Sequence, residues 1–266
     1  MRLFRSSLEK LAPRMATLLT FGLLAGLLVL IELAVATTRT GEGRASRNAL
    51  TLITFPGAYD QILRFILGLG GLFAVTYGAA IAGSEWTWGT LKTAVARGES
   101  RSRYVLSTFA AIALVLIVGL LVAFAIGAAG AVIGSKIAAV SLDGLSDASV
   151  LDGLPEKFAR GWISITMTAS VGFAIATLAR SQLAGIGAGI ALYFGEAFAS
   201  IFLPDIVQYL PFDLANTAVG AGGGFGGPGA PGAQMSADTA LVLVVVWLIG
   251  SLAVAAGFTE RAEITG

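Results

Sequence analysis

At 266 residues, of which 56% are apolar and only 12% charged, the chain has about 149 hydrophobic positions and half the ~25% charged share of a soluble domain. So little charge cannot cover so much apolar side chain in water, which excludes an ordinary soluble enzyme and predicts an all-α polytopic membrane protein. The mean hydropathy of +0.85 agrees, and about six spans of ~20 residues would absorb ~120 of the apolar positions.

The residue types that are missing exclude further classes. With no Cys and no His, disulfides, thiolate nucleophiles, zinc ribbons and the commonest general base are gone. We expect no enzyme activity, no metal and no cofactor on this chain, and no nucleic-acid partner. The net charge of +1 carries no information until its sidedness is known.

In chain order, residues 1–14 place Phe4, Leu8 and Leu11 on one helical face, with Met15 continuing the stripe and Arg2, Arg5, Ser6, Glu9, Lys10 and Arg14 elsewhere. That pattern predicts an amphipathic helix at the membrane interface, broken by Pro13 from the first span. Long apolar runs predict spans at 15–36, 62–83, 104–134, 162–179, 183–203 and 239–258. Together, residues 15–258 make one transmembrane domain, followed by a tail at 259–266. Ala34-Val35-Ala36 imitates a signal-cleavage site, but the run before it is too long and carries Glu32, so we expect no cleavage.

The third run exceeds what a bilayer requires and should tilt or project. Only Arg180, Ser181 and Gln182 separate the fourth from the fifth, which forces an antiparallel helical hairpin. Residues 204–217 carry Pro204, Asp205, Pro211 and Asp213 and predict a short external or re-entrant helix. The loop 218–238 is Gly-rich, and its low-complexity stretch 220–232 lacks the Lys-Ser/Thr that a phosphate loop needs.

Lys and Arg divide ten against seven of the 17 if both termini are cytoplasmic, which predicts that orientation in a plasma (cell inner) membrane. The cytoplasmic segment 84–103 then holds a short basic helix. Thr90 is its expected N-cap and Gly98 its expected C′ residue. Leu91 and Val95 face the membrane domain, and Lys92 and Arg97 point away.

Within that segment Glu85, Gly89, Thr90 and Leu91, followed by Ser100 and Arg101, form a Glu-x-x-x-Gly-Thr-Leu … Ser-Arg pattern. It resembles the signature of type-2 ABC exporter permeases, although Gly98-Glu99 stands where that family often has Pro before Ser-Arg. A Lys common early in that family's third span is also absent. The resemblance implies six spans behind an interfacial helix, a second permease subunit (identical or not), and two copies of a separate ATP-binding subunit that bear the ATP. It further implies that Glu85, Gly89, Thr90, Leu91, Lys92, Arg97, Gly98, Ser100 and Arg101 form the ATPase-coupling site, with Glu85 and Arg101 bracketing the helix by capping or ion pairing.

Gly22/Gly26, Gly130/Gly134 and Gly185/Gly189 are small-xxx-small pairs, read as packing. Two carboxylates fall inside spans, where an ionised group costs on the order of 2.5–3.5 kcal/mol on insertion scales. Both are candidates for a translocation pathway; Glu32 lies close to a polar loop, which favours hydration at the outer interface there. Glu196 is open between hydration and a translocation pathway for cations or protons. Two other classes therefore stand beside the exporter subunit: an ion-coupled secondary transporter built on Glu32 or Glu196, and a membrane assembly factor without substrate.

Overall fold

The computed structural model describes residues 2–11, 15–37, 49–220 and 235–262. Pro13, residues 38–48 between the first two expected spans and nearly all of the Gly-rich stretch lie outside the described residues, as do positions 263–266. Among the described residues every regular element is helical. We number the principal helices α1 (Arg2–Leu11), α2 (Met15–Thr37), α3 (Gly57–Thr87), α4 (Thr90–Ala96), α5 (Arg101–Ala138), α6 (Leu154–Ala179), α7 (Gln182–Ala199), α8 (Pro211–Ala218) and α9 (Ala237–Arg261). Single turns at Asp143–Ser146, Ala148–Leu151 and Pro204–Val207 fill the connections.

Five helical stretches are long and apolar enough to cross a membrane: Thr17–Thr37, Gly57–Thr87, Arg101–Ala138, Ala148–Ala179 and Ala237–Arg261. The chain is a multi-pass, all-α membrane protein. The fifth expected span corresponds to α7, whose 18 residues rise only ~27 Å and include Gln182 and Glu196. The helix ends at Ala199, so residues 200–203 of the expected run lie beyond it, immediately before Pro204.

The helices stop where local chemistry stops them. At α5, 38 residues rise ~57 Å, well beyond a ~30 Å hydrocarbon core. Ser100 caps its start by accepting from Arg103 N at 3.5 Å, and Ala139 ends it in the left-handed region at φ 54°. The hairpin forced by the sequence at 180–182 is tighter still: Arg180 closes α6 at φ 51°, and Ser181 caps α7 by accepting from Ala184 N. Ser236 caps α9 in the same way, from Thr239 N.

Helices α3 and α6 form the middle of the bundle, mostly buried, while α2 and α9 present most of their surface outward. The central crossing depends on two glycines. A methyl group added at Gly78 would lie 2.1 Å from Ala169 O, and one at Gly172 would lie 2.0 Å from Val75 O. Backbone meets backbone there, as small residues permit in lipid. Gly130, Gly134, Gly185 and Gly189 are also tightly faced, but Gly22 and Gly26 have nothing within 4 Å.

Helix α1 packs Phe4, Leu8 and Leu11 against the core. Met15 does not continue that stripe; it opens α2 and is 70% exposed. Thr17 seals the junction by donating to Leu11 O at 2.8 Å and pairing with the Tyr77 hydroxyl at 2.9 Å. The two ends of the bundle can therefore be named by their contents. One, the α4 end, holds α1, α4, the 180–181 turn and the end of α9. The other, the α8 end, holds the 139–153 connection and α8, tied by Lys157–Asp60 at 2.5 Å and Arg160–Asp238 at 2.6 Å.

Candidate functional site

At the α4 end, α3 gives way to α4 through Trp88 and Gly89. Gly89 adopts φ 67°, a conformation that costs glycine nothing and most other residues 1 kcal/mol or more. Gly89 is the residue at the N-cap position, and Thr90 is the first residue of the helix. The expected N-cap role of Thr90 is thus corrected. Its hydroxyl turns back to the Glu85 carboxylate, a charge-assisted acceptor that outcompetes a neutral one. The same Glu85 oxygen accepts from the Tyr104 hydroxyl of α5. One carboxylate thereby ties α3, α4 and α5 together.

Leu91, 2% exposed, anchors α4 in the bundle, Val95 is half-buried, and Lys92, Thr93, Ala96 and Arg97 are exposed. Gly98 follows at φ 85°, its N–H donating to Val95 O at 2.9 Å, as expected of a C′ residue. The result is a seven-residue helix with its apolar side inserted and its basic side outward.

Glu85 and Arg101 flank α4 but do not pair. Arg101 reaches the end of α9, donating to Ala262 O at 2.6 Å and Glu260 O at 3.1 Å, while Ser102 N donates to the Glu260 carboxylate at 3.0 Å. Nearby, the Arg180 guanidinium lies 5.2 Å from both the Trp86 and Phe258 ring centroids. Glu260, Phe258 and Arg180 had no sequence signal tying them to this site; only the long-range fold brings them there. The α4 segment, the α6–α7 turn and the α9 terminus form one connected junction.

The two intramembrane carboxylates differ from each other. Glu32 is fully buried, so it is not the exposed carboxylate that its nearness to a polar loop leads one to expect. It lies against Gly130, where an added methyl would meet Oε2 at 2.1 Å, and neither carboxylate oxygen has a hydrogen-bond partner. The long α5 continues past it on that side, so nearness to a polar loop in sequence does not give access to water. Glu196, 5% exposed, accepts from Asp213 N at 2.6 Å through Oε1 and caps the start of α8. Its Oε2 has no partner. The two carboxylates lie on different helices and are not brought to a common site. Among the described residues no group of three or more Asp and Glu converges to hold a metal.

A family model described as a protein of unknown function, DUF2705, matches residues 28–260. The chain belongs to that family. The match runs from the second half of α2 to the end of α9 and so takes in α4, Glu32 and Glu196, leaving out α1, the first half of α2 and the last residues of the chain. No curated protein matches this DUF2705 chain in sequence.

Proposed function

We propose that this DUF2705 protein is the membrane-spanning subunit of an ATP-driven ABC exporter, working with a second permease subunit and two ATP-binding subunits. The observation that carries the reading is α4 itself: a helix too short to be stable alone, held by Glu85 and Leu91, with basic residues outward. A partner pressing on α4 moves α3 and α5 through Glu85, and moves α9 and the α6–α7 turn through Arg101 and Arg180. That is the requirement for converting nucleotide-driven motion into a rearrangement of spans. Gly22 and Gly26, with Leu18, Leu23 and Leu30 exposed on the same helix, offer a close-packing face for the second permease subunit. In this reading α4 is on the cytoplasmic side of the plasma membrane, both termini with it.

The test is affinity purification of the tagged chain from its native membranes, followed by photolabelling with azido-ATP. A co-purifying nucleotide-binding chain is expected from the wild type. Arg101→Glu, which sets a carboxylate against Glu260, should retain that partner but lose stimulation of its ATP hydrolysis. A labelled partner that is absent under all conditions contradicts the reading.

Glu32 favours a second reading, an ion-coupled transporter, because a carboxylate buried in a span without a hydrogen-bond partner marks a candidate ion pathway. Uptake driven by a proton gradient into liposomes containing this chain alone, and abolished in Glu32→Gln, would decide for it.

A further inference from the structure

Helices α7 and α9 diverge on either side of α6 and leave between them a groove of about 940 Å³ that opens sideways from the bundle. Val171 and Leu178 of α6 form its floor, Leu192 lies on the α7 wall, and the groove is apolar apart from Glu196, Ser251 and Trp247. Leu210 and Pro211 close it at the α8 end, where the Trp247 indole donates to Tyr209 O at 3.1 Å and fastens that cover to α9. Along α7 the lining runs from Ala188 to Ala199, which is ~16 Å of helix rise, close to half of a ~30 Å hydrocarbon core. The groove therefore has the depth of one leaflet.

Its closed end carries the chemistry. Glu196 is buried there with Oε1 satisfied by the start of α8 and Oε2 without a partner. Asp213, whose N–H donates to Glu196 Oε1, brings a second carboxylate to that turn. No Lys or Arg among the described residues forms an ion pair with either. Of the cations at that end, Lys157 and Arg160 are taken by Asp60 and by Glu156 and Asp238, and Arg64 lies with Lys157 in the separate cleft beside Val219 and Gly220. A buried charge is tolerated when paired, and the missing pair is a cation with an apolar tail.

The geometry points to a lateral binding site for a membrane amphiphile bearing an ammonium head, its chain in the α6–α7–α9 groove and its head at the Glu196 carboxylate in the closed end. Chain burial supplies the affinity, and the carboxylate selects the head. The site is independent of the exporter reading, since it belongs to the membrane chain alone.

The absence of Cys makes the test direct. Leu192→Cys in the groove and Val122→Cys, 50% exposed on the outer face of α5, are labelled with a fluorophore in phosphatidylcholine nanodiscs. Nitroxide-bearing dodecylammonium, dodecanol and dodecanoate are then titrated. Saturable quenching at Leu192→Cys is expected, with dodecylammonium binding about tenfold or more tighter than dodecanol, as for a hydrogen bond to a charged group. Glu196→Gln should remove that preference. Gly195 lines the groove with nothing within 4 Å of an added methyl, so Gly195→Leu should abolish saturation without lowering Tm. Equal, non-saturating quenching at both labels, or a preference that survives Glu196→Gln, overturns the proposal. So does inter-chain cross-linking through Leu192→Cys with no quenching, which would assign the groove to a second copy. None of these outcomes depends on an ATP-binding partner, so failure here leaves the exporter reading standing.

Discussion

Arg180 and Trp86, 94 positions apart in the chain, meet with the guanidinium 5.2 Å from the indole centroid, and Phe258 takes the other contact at the same distance. One cation thus joins the end of α3, the α6–α7 turn and the end of α9. Each exposed cation–π contact contributes about 0.5–1 kcal/mol, so Arg180→Ala should cost about 1–2 kcal/mol. Acrylamide quenching of Trp86 fluorescence, in a chain with the other tryptophans replaced, should rise in that variant. Arg180→Lys should recover part of the loss, because Lys keeps the charge but not the planar group.

The Glu85 knot gives a second expectation. In Glu85→Ala the Tyr104 hydroxyl loses its acceptor in a buried place, at about 1–3 kcal/mol, and α4 loses its tether. Hydrogen exchange over residues 90–97 should accelerate while exchange in α6 stays unchanged. Adding Tyr104→Phe to Glu85→Ala should cost little more, since the two residues share one interaction.

The glycines separate inward from outward packing. Gly78→Val and Gly172→Val drive a side chain into backbone carbonyls and should destabilise the fold by at least the ~1–3 kcal/mol typical of overpacking, seen as lost monodispersity in detergent. Gly22→Val meets nothing within the chain. It should leave Tm intact and, if a second permease subunit packs on α2, reduce the dimer fraction in sedimentation.

Asp213, in α8 outside the membrane spans, has its pKa raised by burial. The fold therefore prefers its protonated form: this contribution is fully favourable below the unfolded pKa and is lost as pH rises through the folded one. Asp213→Asn should raise Tm at pH 7 relative to wild type and have little effect at pH 4. An equal gain at both pH values would assign the effect to something other than charge.

Much of the fold was legible because lipid imposes a simple rule: apolar runs become helices, and Ser181 and Ser236 cap them where the runs restart. The α3–α6 crossing was not legible. Gly78 and Gly172 lie on different helices, each opposite a backbone carbonyl, so a search for paired glycines along one helix passes over them. In the segment 84–103 Leu91 and Gly98 could be placed from periodicity and turn chemistry. The partners of Arg101 and Thr90 could not, because Thr90 faced a choice between a backbone amide and a carboxylate five residues earlier, and the sequence does not rank them. Glu32 was misjudged because distance along the chain to a polar loop is not distance to water.

The central claim is that α4 is the contact through which a separate nucleotide-binding chain moves the bundle. Ala96→Cys, exposed on α4 in an otherwise cysteine-free chain, carrying a photoactivatable cross-linker in native membranes, tests it most directly. The expected product is a covalent adduct to a chain that azido-ATP also labels, with a yield that changes when ATP is added. Illumination that yields adducts only to lipid or to this chain itself, with and without ATP, contradicts the account.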